Sequence, residues 1–184
     1  MSKTVGVIVG SLSASSINRR VVGAIRAAAP ADLSFVEIDV SDTPFYNPDV
    51  DGEAPPEAWT KVREAVKSVD AVLFVTPEYN RSVPAIMKNV LDILSRPYGQ
   101  GALAGKVTAV VSASLGASGG MAAHLELKKI LGALGTAQLP GPEIYLGGVN
   151  DAWFAEDGSA ANEGTRKFLA GFAQGFSDWI GKHV

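Results

Sequence analysis

The chain has 184 residues, 47% of them hydrophobic and 19% charged, a balance that favours one globular domain over residues 1–184 and excludes a disordered chain. Its formal net charge of −3 excludes the basic surface that nucleic acid binding needs, and no apolar run predicts a membrane span. Cysteine is absent, so redox chemistry would belong to a bound cofactor, and we expect a cytoplasmic protein whose partners are small molecules.

Apolar, β-branched runs predict strands that are buried on both faces of a parallel sheet. They cover residues 4–9, 33–38, 71–76 and 107–112, and a weaker fifth candidate covers residues 136–139. Each predicted strand is followed by a segment with the apolar period of an amphipathic helix. The five predicted helices begin near Ile17, Trp59, Val83, Gly120 and Phe168.

The third helix has the clearest boundaries. Ser82 is its predicted N-cap, Pro84 lies in its first turn, and the helix is expected to end before Pro97. The fourth helix is expected to end at Gly135.

Alternating strands and helices predict an α/β fold, a doubly wound sandwich of flavodoxin-like type. We expect a five-stranded parallel sheet of order 2-1-3-4-5 with helices on both faces. Ligands of such sheets bind at the carboxyl ends of the strands, where the strand order reverses. The loops after strands one, three and four are therefore the candidate site, while residues 42–56 and 147–164 predict long surface loops.

The first of these loops, residues 10–18, reads Gly-Ser-Leu-Ser-Ala-Ser-Ser-Ile-Asn. Hydroxyl groups, one carboxamide and the start of a helix are together typical of an anion cradle. An ordinary turn with a serine cap is the alternative. The loop lacks the glycines of a dinucleotide-binding motif and the lysine of a Walker A motif.

The other two loops favour a flat, redox-active ligand. Residues 76–82 read Thr-Pro-Glu-Tyr-Asn-Arg-Ser, and this extended, aromatic loop suits a planar ring, although a polar turn is the alternative. Residues 112–120 contain three glycines and open a helix, which favours partial negative charge nearby. Reduced flavin gathers such charge at N1 and the C2 carbonyl.

At these residues the chain closely resembles the NADPH-dependent FMN reductase family, which includes bacterial chromate and quinone reductases and related azoreductases. The likeness extends over nearly the whole chain. It is most specific at Gly10-Ser11, Ser16, Asn18, the run from Thr76 through Pro84 to Lys88-Asn89, Leu94-Ser95-Arg96-Pro97, and Gly116 with Gly119-Gly120.

The resemblance implies FMN as the cofactor and assigns its contacts. The phosphate group would be bound by Ser11, Ser13, Ser16, Ile17 and Asn18. The isoalloxazine and ribityl groups would be lined by Pro77, Glu78, Tyr79, Asn80 and Arg81, and the pyrimidine edge would face Ser114, Gly116 and Gly119. It also implies a homodimer, or a homotetramer, with FMN near the subunit interface.

Several positions depart from the family pattern. Ser13 stands where many members carry arginine, so Arg19 or Arg20 is a candidate to supply that charge, the alternative being a helix-surface role. Arg81 replaces an aromatic residue. It would stabilise anionic reduced flavin, bind the phosphate of the nicotinamide nucleotide, or face solvent.

Two further departures concern assembly. Ala122 and Leu125 replace an arginine and a tyrosine of chromate-reducing relatives, and the tyrosine is associated with a tetramer contact that would involve Glu143. That contact cannot form in the same way here, which favours the dimer over the tetramer and weakens the case for chromate.

The predicted function is that of an FMN-dependent NAD(P)H oxidoreductase with a ping-pong mechanism. NADPH or NADH would give hydride to the flavin N5 and leave, and a quinone, free flavin, azo compound, chromate or ferric complex would then take two electrons. No catalytic side chain or metal ligand is expected, and His124 and His183 are interpreted as packing or surface residues. The alternatives are a flavodoxin-type electron carrier, an FMN-binding redox sensor, or a colourless nucleotide or sugar-phosphate enzyme.

Overall fold

Strands and helices alternate along the computed structural model, which describes residues 2–184. The strands are β1 (Lys3–Val9), β2 (Leu33–Glu37), β3 (Ala71–Thr76), β4 (Val107–Ala113), β5 (Ala137–Gln138) and β6 (Ile144–Leu146). The helices are α1 (Ile17–Ala28), α2 (Glu57–Lys67), α3 (Ala85–Leu94), α4 (Met121–Ala133) and α5 (Glu163–Ile180). The four long strands are confirmed, with each end within one residue of its predicted position.

The sheet has the predicted order β2-β1-β3-β4-β5, and every pair in it is parallel. Its fifth position is divided between two short strands, because β5 pairs with the start of β4 and β6 pairs with its end. Pro140 and Pro142 lie in the segment between them. Proline has no N–H group to donate to a ladder, which explains why the pairing is interrupted there.

Helices cover both faces of the sheet, and successive strand residues pack into opposite cores. Leu73 and Val75 of β3 lie in a cluster with the apolar faces of α1 and α5, including Phe172 and Phe176. Phe74, between them in sequence, packs in the cluster formed with α2, α3 and α4. Among residues 2–184, no helix combines the length and the apolar character needed to cross a membrane.

The predicted N-cap of α3 at Ser82 is wrong. The helix begins at Ala85, and the capping position is held by Pro84, which has no side-chain hydrogen bond to offer. Ser82 instead closes a tight turn, in which it and Tyr79 exchange backbone hydrogen bonds of 3.0 Å. The two central residues have φ angles of 52° and 66°, the pattern of a type I′ turn.

Residues 42–56 form the predicted surface loop, but this 42–56 loop is firmly held. Asn89 accepts the N–H of Tyr46 at 2.8 Å and donates to the carbonyl of Thr43 at 3.3 Å. Arg63 makes two hydrogen bonds of 2.8 Å to the carboxylate of Asp51, and both side chains are nearly buried. The bonds from Arg63 hold the pKa of Asp51 below its usual value.

Candidate functional site

The loops after β1, β3 and β4 meet at the carboxyl edge of the sheet and enclose an open cleft of about 410 Å³. This volume lies in the range of roughly 300–1,000 Å³ that small-molecule sites occupy. The predicted site residues that line the cleft are Ser11, Ser13, Ser16, Ile17, Asn18, Pro77, Glu78, Tyr79, Ser114 and Gly116. Asn80, Arg81 and Gly119 were also predicted there but are not among its lining residues.

The N-terminus of α1 forms one end of the cleft. Ser16 caps the helix, with its Oγ accepting the N–H of Arg19 at 3.2 Å. The N–H groups of Ile17 and Asn18, the first two of the helix, have no acceptor within residues 2–184. Free N–H groups and the positive end of the helix dipole together suit a phosphate group.

Asn18 connects the first loop to the third. Its side chain is buried, and Nδ2 donates to the carbonyl oxygen of Ala113 at the end of β4, over 3.3 Å. Its Oδ1 is buried without a hydrogen-bond partner among the described residues. A buried acceptor left unpaired costs about 1–3 kcal/mol, so a ligand that donates a hydrogen bond here would remove this cost.

Two arginines lie near the first loop, and both are engaged elsewhere. Arg19 Nε donates to Glu37 at 2.9 Å, and its guanidinium reaches the Ser13 carbonyl only at 3.4 Å. Arg20 pairs with Asp151 at 2.5 Å and stacks on the Phe154 ring at 4.0 Å. Arg20 therefore has the helix-surface role, while Arg19 contacts the backbone of the loop and not its open side.

Glu78 of the second loop directs its carboxylate to the start of α4, directly after the third loop. Glu78 Oε2 accepts the N–H of Ala122 at 2.9 Å and that of Ala123 at 3.3 Å, at the start of α4. Arg81 lies at the tip of the turn with 83% of its side chain exposed, and its guanidinium is 3.9 Å from Glu78. Of the three alternatives for Arg81, the orientation in this structure is the solvent-facing one.

The third loop places Gly119 behind the cleft and not in it. Gly119 has a φ of +61°, and a Cβ there would lie 2.6 Å from the carbonyl carbon of Tyr145 and 2.8 Å from the nitrogen of Leu146. A Cβ on Gly147 would in turn meet the carbonyl oxygen of Ala117. The glycines thus permit close contact between the third loop and the end of β6 with the residue that follows it, a contact that the sequence does not predict.

The cleft includes three residues that were not predicted, Ser15, Ala113 and Leu115. All three lie inside the loops predicted over residues 10–18 and 112–120, so loop membership is the available signal. Leu115 is 72% exposed, and Tyr79 on the opposite loop is 53% exposed. The mouth of the cleft is therefore apolar, whereas the end at α1 is rich in hydrogen-bond donors.

Behind the third loop, His124 is a buried packing residue. Its ring meets that of Tyr145 edge-on with the centroids 4.7 Å apart, and burial lowers the pKa of His124 to about 4. Tyr145 donates to Glu143, and burial together with this bond raises the pKa of Tyr145 to about 12. Glu143 also pairs with Lys128 at 2.9 Å, so the carboxylate considered for a tetramer contact is engaged within the chain.

Comparison with known proteins gives consistent matches along the chain. The family model for NADPH-dependent FMN reductases matches residues 4–151. A quinone reductase of Pseudomonas putida is 47% identical over 177 residues, which cover 96% of this chain and 94% of that protein. A 2-hydroxy-1,4-benzoquinone reductase of Burkholderia sp is 34% identical over 98% of this chain and 97% of that protein.

A solved structure matches in fold as well as in sequence. FerB, a flavoenzyme NAD(P)H:(acceptor) oxidoreductase from Paracoccus denitrificans, superposes with a TM-score of 0.92 at 41% identity. The match covers 98% of each chain. The three cleft loops all lie within the matched region of the family model.

Proposed function

The chain belongs to the NADPH-dependent FMN reductase family, and we propose that it passes electrons from a reduced nicotinamide nucleotide through bound FMN to quinones and other small acceptors. The observation that carries this proposal is the cleft at the carboxyl edge of the sheet. It combines unpaired donors at the start of α1 with an apolar mouth that is open to solvent. That combination suits a cofactor with a phosphate at one end and an accessible aromatic ring at the other.

The residues of the cleft fit FMN in type and placement. The phosphate would be bound by the N–H groups of Ile17 and Asn18 and by the hydroxyls of Ser11, Ser13 and Ser16. A ribityl hydroxyl is the donor that the buried Oδ1 of Asn18 lacks.

The isoalloxazine ring would lie between the second and third loops. Pro77 and Tyr79 supply apolar contacts on one side. On the other side, the N–H groups of Leu115 and Gly116 have no acceptor within residues 2–184 and are available to the polar edge of the ring. Gly119 acts from behind, because it lets the loop approach the backbone of Tyr145.

FMN, when bound, would supply the redox chemistry, namely hydride uptake from NADPH or NADH and delivery of two electrons to the acceptor, with two protons also taken up where the acceptor is a quinone. We infer that both substrates use the open mouth flanked by Tyr79 and Leu115, so the oxidised nicotinamide would leave before the acceptor enters. This sequence gives ping-pong kinetics.

The wider proposals follow from the same surface. Free flavin, azo compounds, chromate and ferric complexes are further acceptors that an open mouth would admit. We also propose that each chain forms one FMN-binding domain and that the chains assemble into a homodimer or a homotetramer. The proposed location is the cytoplasm. Exposed apolar side chains outside the mouth that a second copy would cover are Leu12, Phe45 and Met121.

The test follows the colour of the flavin. The purified protein is loaded with FMN, its absorbance is measured anaerobically with NADPH or NADH, and 1,4-benzoquinone is then added. Bleaching followed by recovery is expected, with parallel lines in double-reciprocal plots of the steady-state rate. Flavin that stays oxidised with both nucleotides would indicate a carrier or a sensor, and a protein that takes up no FMN would contradict the proposal.

A further inference from the structure

We propose that Glu78, which lines the cleft, is a positioning residue that lowers the reduction potential of the bound flavin, by placing its carboxylate on the N-terminus of α4 behind the third loop. This inference rests on the proposed FMN site. It concerns the Glu78 side chain, which makes both of its short hydrogen bonds to the start of α4.

The cap of α4 is supplied from a distant part of the chain. Gly120 holds the N-cap position with a φ of 79° and has no side chain to cap the helix. Glu78, 44 residues earlier than Ala122, accepts the N–H groups of Ala122 and Ala123 in its place. A Cβ on Gly120 would lie 3.1 Å from that of Ser112, which is a tight contact, and 3.7 Å from that of Glu78, so Glu78 packs directly beside this glycine.

This cap changes the charge directly behind the third loop of the cleft. The N-terminus of a helix carries about half a positive charge, which on its own would attract a developing negative charge in the cleft. The carboxylate of Glu78 adds a full negative charge at that point, and its side chain is only 12% exposed. The cation that pairs with it among residues 2–184, Arg81, is 83% exposed at 3.9 Å and is screened by solvent.

The net effect opposes reduction. A reduced flavin carries more negative charge than an oxidised one, so a carboxylate behind the third loop disfavours the reduced form. A lower potential makes the reduced cofactor a stronger electron donor towards the acceptor. The helix end that would otherwise stabilise the reduced form is thus neutralised by the chain itself.

Glu78 also completes a set of ties among the three loops. Asn18 connects the first loop to the end of β4 through Ala113, and Glu78 connects the second loop to the start of α4.

The hydrogen bonds of Glu78 and its negative charge can be tested separately. A glutamine keeps an oxygen acceptor but loses the charge, whereas an alanine loses both.

The experiment measures the two-electron midpoint potential of bound FMN by equilibration with a redox dye. Glu78→Gln should bind oxidised FMN with an affinity within about threefold of that of the wild type. The ratio of its affinity for reduced FMN to its affinity for oxidised FMN should be about tenfold higher than in the wild type, which raises the potential by about 30 mV. Glu78→Ala should raise the potential similarly and weaken the binding of oxidised FMN at least tenfold.

The matched control is Asp178→Asn, which removes one negative charge from the last turn of α5. Gly181, the C-cap of α5, lies next to Lys3 at the start of β1. The last turn of α5 is therefore at the edge of the sheet away from the cleft. Its potential should equal that of the wild type. An unchanged potential in Glu78→Gln, or an equal rise in Asp178→Asn, would overturn this inference alone, whereas a wild-type chain that binds no FMN would overturn the proposed function with it.

Discussion

The 42–56 loop and the three loops of the cleft differ in where their polar groups find partners. The 42–56 loop is bonded to the body of the protein through Asn89, through the pair of Arg63 with Asp51, and through Trp59, whose Nε1 donates to the carbonyl of Pro44 at 3.0 Å. The cleft loops leave the N–H groups of Ile17 and residues 115–117 without acceptors among residues 2–184.

This difference separates stability from binding. Both regions are rich in small and polar residues, so composition alone predicts the same kind of surface loop for each. Groups that are satisfied by the chain hold the fold together, while groups that are left open are available to a ligand. Substitutions in the 42–56 loop should therefore change the free energy of unfolding, and substitutions in the cleft should change FMN binding.

Gly119→Ala is expected to reduce both the free energy of unfolding and FMN binding, and to give the largest effect. The substitution combines a positive φ with a contact on the immovable backbone of Tyr145 and Leu146, which together cost about 4 kcal/mol of unfolding free energy. FMN binding should be lost as well, because the third loop must move. Denaturant unfolding of the apo protein and titration with FMN check both effects.

The control for Gly119→Ala lies in the same loop. A Cβ on Gly116 would meet only the Oγ of Ser114, at 3.8 Å, so Gly116→Ala should change stability by less than about 1 kcal/mol. Equal losses in the two variants would show that the loop is sensitive everywhere and that the contact with Tyr145 is not the cause.

Arg63→Ala tests the other region. It leaves the Asp51 carboxylate nearly buried without its cation, at a cost of about 3 kcal/mol, while FMN affinity should stay unchanged. Lys88→Ala removes a comparable pair with Asp92 that is about half exposed, and it should cost less than about 1 kcal/mol. A loss of FMN affinity in Arg63→Ala would contradict the separation of the two regions.

The framework of the fold could be predicted from the sequence because it depends on repeated, local patterns. Continuous apolar runs indicated the four long strands, and their alternation with helices indicated the order of the sheet. The division of the fifth position could not be predicted. It results from pairing to two different parts of β4 on either side of Pro140 and Pro142, and a three-residue strand has no distinctive pattern.

The site could be predicted in part for a related reason. The loops were identified because the ends of parallel strands share one edge, and most of the predicted residues do line the cleft. The direction of each side chain depends on contacts that are distant in sequence. Glu78 faces α4 and Gly119 faces Tyr145, and neither partner is encoded near the loop.

His124 extends the comparison to pH, because it lies behind a cleft loop but is buried like a core residue. Burial lowers its pKa from 6.5 to about 4 in the folded protein, so between these values only the unfolded chain takes up the proton. Stability is retained above pH 6.5 and falls as the pH drops towards 4. The wild type should lose about 2 kcal/mol more than His124→Phe between pH 7 and pH 5.

Unfolding by denaturant at the two pH values measures this difference. His183→Gln is the matched control, because it replaces the other histidine of the chain, which is exposed. Equal pH dependence in the wild type and His124→Phe would mean that the folded protein accepts the proton at His124.

Arg81→Gly gives the smallest expected change in stability. It addresses the second loop, which holds two non-glycine residues with positive φ, Asn80 and Arg81. Arg81 holds a φ of 66° in a type I′ turn for which Asn-Gly is the preferred pair, and Asn80 already supplies the asparagine. Relief of this strain exceeds the entropy that glycine adds to the unfolded chain, so Arg81→Gly should stabilise the protein by about 0.5 kcal/mol.

Arg81→Ala separates the backbone of this turn from its charge, because it removes the same guanidinium but keeps the left-handed strain. Only the glycine variant should gain stability in denaturant unfolding. If Arg81 binds the 2′-phosphate, which NADPH carries and NADH lacks, both variants should raise the KM for NADPH and leave that for NADH unchanged. The guanidinium is 83% exposed and lies outside the cleft lining. We therefore expect that the KM for each nucleotide is the same in the wild type and in both variants. A rise confined to the KM for NADPH would instead show that the nucleotide draws Arg81 to the mouth of the cleft.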